Sequence, residues 1–190
     1  MNYPNGIKKQ FNNINKEINY KNRGMDLEND LNISNQYYIE KGIAYIYKKP
    51  TPIKVVKAEF NQNGYRVIKE AYYSEPSTTD YNGIYKGNYI DYEAKETKNK
   101  TKFPISNIHA HQIEHIKHIV KENGICFLII RFTTINKTYL LRGIDFLNYL
   151  NKFKASSIPI SFIETHGELI KDKYLPRIDY LEIVDKLWRL

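Results

Sequence analysis

The run Ile125-Cys126-Phe127-Leu128-Ile129-Ile130 constrains the fold more than any other segment of the chain. It is apolar at every position, far too short to cross a membrane, and preceded by Gly124, so it reads as a strand of the buried type. In front of it, Ile105, Ile108, Ile113, Ile116, Ile119 and Val120 recur at helical spacing. Pro104 and Ser106 open that segment and Gly124 closes it, which predicts a helix reaching to about Asn123. A first helix is expected from Met25 to about Glu40, where Leu27, Leu31, Tyr37 and Tyr38 recur, with Gly42 at its C-terminal end. Residues 43–47, 53–60 and 66–73 are rich in Val, Ile and Tyr and are separated by Pro50, Pro52 and Asn63-Gly64, so they read as strands, the last two as a long hairpin. A strand over residues 138–141, a helix over 144–153 and an amphipathic tail over 180–190 with Asp179 as N-cap complete the order. Helices flanking a mixed sheet place the chain in the α/β or α+β class, and 190 residues suit one domain.

Charge narrows the partners. The chain carries 29 Lys and Arg against 21 Asp and Glu, a net charge of +8, which favours a polyanion and points first to nucleic acid. Residues 1–23 hold Lys8, Lys9, Lys16, Lys21 and Arg23 against Glu17 with no sustained apolar period, and read as a flexible basic arm ahead of a single domain over residues 24–190. The opening residues lack the apolar core of a signal peptide and no segment is long enough to span a bilayer, so a cytoplasmic protein without a membrane partner is expected. The single Cys126 excludes an internal disulfide and reads as a buried, inert thiol.

The block from Thr78 to Thr97 carries the chemistry. Tyr89 to Lys95 alternates with period two, which puts Ile90, Tyr92 and Ala94 on one face of a strand and Asp91, Glu93 and Lys95 on the other. Asp80 sits in the turn-rich stretch Ser77-Thr78-Thr79-Asp80-Tyr81-Asn82-Gly83. An acid followed by Glu-x-Lys suits phosphodiester hydrolysis. Asp80 and Glu93 supply hard oxygen ligands to a divalent cation that lowers the pKa of a bound water, and the Lys95 ammonium stabilises charge developing on the phosphate. By spacing alone, a solvent-facing charged strand accounts for the same residues. Gln112 adds a second observation, because it interrupts the stripe formed by Ile108, Ile116 and Ile119, and a buried amide needs partners.

Several longer motifs are similar to one family. Asn22-Arg23-Gly24-Met25, Lys48-Lys49-Pro50-Thr51-Pro52, the Ser77 to Gly83 stretch, Tyr89 to Thr97, His109 to His115 and Pro176-Arg177-Ile178-Asp179-Tyr180 resemble, in that order, the RecU-type Holliday-junction resolvases of Gram-positive bacteria. The resemblance implies a restriction-endonuclease-like mixed central sheet flanked by helices, a homodimer, and Mg²⁺- or Mn²⁺-dependent paired nicking of four-way junctions in recombination and repair. It also implies Thr78, Asp80, Glu93 and Gln112 as metal ligands, Lys95 as transition-state stabiliser, and Glu28 as an acid near the site. A strand-exchange recombinase and a branch-migration complex are implied as partners.

The family also implies a stalk projecting between early strands, here about residues 49–72, that enters the junction. Where the family has a Tyr-Pro step and basic residues, this chain has Phe60-Asn61-Gln62-Asn63-Gly64-Tyr65-Arg66. Arg23, Lys48, Lys49, Lys54, Lys57 and Arg66 are the candidate DNA contacts, with Lys69 as a further cation on the stalk. Two rivals remain at this point. His111-Gln112-Ile113-Glu114-His115 fits the H-x-x-E-H zinc-protease pattern, and a non-catalytic junction-binding module that regulates the recombinase needs only the basic residues. Convergence of Asp80, Glu93 and Lys95 separates an enzyme from that module.

Overall fold

The computed structural model describes residues 27–74 and 78–190. The basic arm, with Arg23, and the motif residues Asn22 to Met25 and Ser77 lie outside them. In chain order, the elements begin with α1 (Leu27–Glu40), β1 (Tyr45–Lys48), β2 (Ile53–Phe60), β3 (Arg66–Tyr73), β4 (Tyr81–Tyr85), β5 (Asn88–Thr97) and β6 (Lys102–Pro104). They continue with α2 (Ala110–Lys121), β7 (Ile125–Phe132), β8 (Lys137–Arg142), α3 (Gly143–Lys152), β9 (Ser157–Pro159), α4 (Ile160–His166), β10 (Glu168–Ile170) and α5 (Tyr180–Trp188).

Six strands form the central sheet in the order β1-β4-β5-β7-β8-β10. β5 and β7 are parallel, joined through α2, and the other neighbours are antiparallel, so the sheet is mixed. β7 explains why its sequence is apolar throughout. Phe127 and Ile129 enter the core under α1 and α5, with Leu31, Tyr92, Tyr180 and Val184. Cys126, Leu128 and Ile130 enter the opposite core with Ile116 of α2, Phe146 of α3 and Ile163 of α4. A strand packed on both faces has no room for alternation. Tyr81, Tyr92 and Phe127 stack across β4, β5 and β7 at 4.7 and 4.9 Å between ring centres. Their hydroxyls are met inside the protein, Tyr81 by Asn32 and Tyr92 by Asn35.

The expected hairpin strands match β2 and β3 to the residue, and the pair forms its own two-stranded sheet. Asn61 Oδ1 accepts the amides of Asn63 and Tyr65, and Gly64 takes φ +76°, which closes the turn. Except for Ala58 and Val67, every residue of both strands is exposed.

Elsewhere the structure departs from expectation. The stretch around Gly83 is strand β4, because β1 comes so close that a Cβ on Gly83 would lie 2.1 Å from the Tyr45 carbonyl oxygen. The second helix begins at Ala110, since Lys102–Pro104 pairs with β9 and a short 3-10 turn follows. Its end is marked by Asn123 at φ 60°, ahead of Gly124. Asp179 does not cap α5 with its side chain; its carboxylate instead accepts from Tyr38 and Lys173. No helix among the described residues is long and apolar enough to cross a membrane.

Candidate active site

The site forms where β4 and β5 meet the start of α2. The register pairs Tyr81 with Tyr92, so Asp80 lies one step beyond, beside Glu93. The Ala94 amide donates to Asp80 Oδ2 at 3.1 Å and fixes that carboxylate at the strand edge. Glu93 is fully buried: Lys95 Nζ lies 2.6 Å from its Oε1, and Gln112 Nε2 donates to the same oxygen at 2.7 Å. Its other oxygen, Oε2, is buried with no hydrogen-bond partner. Burial, followed by the charge of Asp80, raises the Glu93 carboxyl from 4.5 to about 7, against the opposing pull of Lys95. Gln112 Nε2 also donates to the Thr78 carbonyl at 3.3 Å. Thr78, Asp80, Glu93, Lys95 and Gln112 therefore converge, from a loop, two strands and a helix.

This donor set fits a hard divalent cation. Two neighbouring carboxylates and neutral oxygens suit such an ion, and the bare Glu93 Oε2 together with the raised pKa records a negative pair that a cation would relieve. Gln112 needs a change to join as a ligand. Its Oε1 accepts the His109 amide at 3.0 Å, which leaves the amide nitrogen facing the carboxylate. The zinc-protease reading finds no support in this geometry. His111 stacks on His109, His115 turns to Asp91 and Glu114 pairs with Lys117, and no group of three or more His, Cys, Asp or Glu among the described residues is placed to hold a metal.

Comparison with known proteins decides the family. The family described as recombination protein U, RecU, matches residues 22–186. The chain belongs to that family. It is 48% identical over 194 residues to a protein of Geobacillus sp. (strain WCH70) named Holliday junction resolvase RecU, covering 98% of this chain and 96% of the relative. Proteins of the same name from Geobacillus kaustophilus (strain HTA426) and Bacillus cereus (strain B4264) are 53% identical over 172 residues and 50% over 196. The first comparison covers 89% of this chain and 86% of the relative, the second 98% and 97%.

The remaining RecU-type candidates are spread more widely. Glu28, on α1, lines a small cleft of about 110 Å³ with Asp80, Ala94 and Glu96, and pairs with Lys48 at 2.6 Å. Lys54, Lys57 and Arg66 stand exposed on the hairpin, with Lys57 paired to Glu59 at 3.0 Å. Lys49 differs from the expected surface contact. Its side chain is only 13% exposed, and its ammonium turns inward to Asp91 at 2.7 Å.

Two groups at the site carry no signal of their role in the sequence. Glu96 accepts the Leu27 amide at 3.0 Å, which anchors the first turn of α1, the turn that carries Glu28, beside the site. The period-two alternation predicts the face of Asp91 and gives it no task. Asp91 is fully buried and gathers Lys49, Thr79, Tyr89 and His115 around it. The alternation that grouped Asp91 with Glu93 was a signal for its face and carried none for what covers that face.

Proposed function

We propose that this protein is a divalent-metal-dependent endonuclease that resolves four-way DNA junctions by paired nicks, the activity that the names of its relatives describe. The observation that carries the reading is the buried Glu93 with one unpartnered oxygen, held beside Asp80 and in contact with Lys95. Thr78, Asp80 and Glu93 would hold Mg²⁺ or Mn²⁺, with Gln112 as a further ligand were its amide turned over, and the ion would supply Lewis acidity and a water of lowered pKa. The residues themselves set the conditions for chemistry. Glu93 must lose its proton to act as ligand. The Ala94 amide keeps Asp80 in place, the Gln112 amide nitrogen holds Glu93 and the Thr78 carbonyl together in the metal-free protein, and Lys95 brings a cation to the phosphate whose charge grows in the transition state.

The wider reading follows from the same residues. The central sheet is the core of a restriction-endonuclease-like nuclease, and the β2–β3 hairpin is the stalk that enters the junction, with Lys54, Lys57 and Arg66 towards phosphates and Lys48 and Arg23 nearer the body. A homodimer sets two sites against strands of like polarity, so two-fold symmetry yields symmetric nicks. The protein acts in the cytoplasm in recombination and repair, alongside a strand-exchange recombinase and a branch-migration complex.

The test is a labelled synthetic four-way junction and a matched linear duplex, each with Mg²⁺, with Mn²⁺ and with chelator. Nicks at symmetric positions in two strands of like polarity, made only in the junction and only with metal, are the expected result. Tight junction binding without cutting under either metal would replace this reading with the regulatory module.

A further inference from the structure

The cluster around Asp91 lies beside the proposed metal site, and none of its members is a proposed ligand. Asp91 uses both oxygens. Thr79 donates its hydroxyl to Oδ1, while Oδ2 accepts from Lys49 Nζ at 2.7 Å and the Tyr89 hydroxyl at 2.8 Å, with His115 Nε2 at 3.2 Å. Burial alone would raise this carboxyl, but the contacts from His115, Lys49 and Thr79 outweigh it and hold it below its ordinary range. An ion so deeply buried is tolerated only when fully matched, which makes the cluster rigid.

Lys49 is the member that reaches furthest. Its Nζ donates to Thr78 Oγ1 at 3.0 Å and to Thr79 Oγ1 at 2.7 Å, besides Asp91. Its backbone amide donates to the Asp80 carbonyl at 2.8 Å, which extends the β1–β4 ladder by one residue. Lys49 thus grips three consecutive residues, two of which are proposed ligands. The other members stand on the elements that bear the rest of the site. Asp91 precedes Glu93 on the same face of β5, and His115 follows Gln112 by about one turn of α2. Every segment that supplies a ligand sends at least one group into this hub, and β5 sends both Asp91 and Tyr89.

We infer that Lys49, Thr79 and Asp91, with His115, are positioning residues that fix the Thr78–Asp80 loop against β5 and α2, and so set the spacing of the metal ligands. The inference rests on the nuclease reading of the site. In metal proteins, groups that orient ligands from behind typically control affinity by about 10–100-fold when removed. Lys49 is therefore an internal clamp, and its charge is neutralised by Asp91.

The test measures Mn²⁺ binding by calorimetry on the full chain without DNA, together with the Mg²⁺ dependence of junction cutting. Lys49→Met and the shape-conserving Thr79→Val are compared with Lys49→Arg and Thr79→Ser. Lys49→Met and Thr79→Val are expected to weaken Mn²⁺ binding by about tenfold or more. They should raise the Mg²⁺ needed for half-maximal cutting by a similar factor while the rate at saturating Mg²⁺ stays near wild type. Lys49→Arg and Thr79→Ser, which keep the charge and the hydroxyl, should recover most of the loss. If Lys49→Met does not fold, the Thr79→Val and Thr79→Ser pair decides. Unchanged Mn²⁺ binding in folded Thr79→Val overturns the positioning role and leaves the nuclease reading in place. A lower rate at every Mg²⁺ concentration, with binding intact, overturns it equally. A wild-type protein that binds no Mn²⁺ removes both, and Asp80→Asn is the control that ties the bound ion to this site.

Discussion

Strand β5 and the β2–β3 hairpin reverse the usual relation between chemistry and burial. On β5, Asp91 and Glu93 are 0% exposed, whereas on the hairpin and its turn Phe60, Tyr65 and Tyr73 are 76%, 71% and 77% exposed. Buried carboxylates are costly unless matched, and aromatic rings left in water add little to the stability of the fold. The difference shows two ways of building function. One region encloses charge and leaves one carboxylate oxygen without a hydrogen-bond partner; the other exposes a surface with no core of its own. An isolated two-stranded hairpin is marginal, so its order depends on its attachment and on what it meets.

The contrast is most severely tested at the carboxylates. Asp80→Ala should reduce junction cutting by on the order of 10³-fold or more while junction affinity stays within about threefold, measured by cleavage and gel shift on one preparation. Loss of binding alongside cutting would mean that the site serves the fold or the DNA grip.

Next in size is a pair of aromatic truncations. Phe127→Ala, in the core between β5 and α5, should cost about 3–5 kcal/mol in denaturant unfolding. Phe60→Ala, at the hairpin turn, should cost less than about 0.5 kcal/mol and show its effect only in junction binding. Equal costs would mean that the hairpin is folded against something in the isolated protein.

Glu93 makes a pH prediction. Its folded pKa, about 7, lies above the unfolded 4.5, so the native state binds the extra proton between those values. The associated stability is complete below about pH 4.5 and is lost as pH rises through about 7, a loss on the order of 3 kcal/mol without metal. Glu93→Gln should flatten that part of the unfolding free energy measured against pH. The smallest expected effect belongs to the β2–β3 hairpin: Arg66→Ala should lower the slope of log affinity against log salt by about 1. No change would place Arg66 away from phosphate.

The hairpin was legible to the residue because its signals are local: β-branched runs on either side of Asn63-Gly64. β7 was legible because a strand covered on both faces writes its burial into every position. Three-residue strands such as β6, β9 and β10 are too short to show a period, and the short helix α4 was equally silent. At β4, the Tyr81-Asn82-Gly83 stretch read as a turn because Gly83 answers to the approach of β1, a tertiary fact. Spacing brought Asp80, Glu93 and Lys95 forward only as one of two readings, Gln112 stood out as a polar residue on an apolar stripe, and the family resemblance was needed to give these residues, with Thr78, their roles. The Asp91 hub was not legible, since Lys49, Thr79 and His115, the partners that make this carboxylate structural, come from the residue after β1, a loop and α2, far apart in sequence. Lys49 shows the same limit from the other side: the sequence displays a charge, and only the fold decides whether it faces DNA or an acid.

The most direct measurement is the thermal shift produced by Mg²⁺ at pH 8, without DNA, in wild type and in Glu93→Gln. At a concentration about 100-fold above the dissociation constant, wild type should gain about 5 °C or more, and Glu93→Gln almost nothing. An equal gain in both proteins would contradict the claim that the buried Glu93 oxygen is kept for the cation.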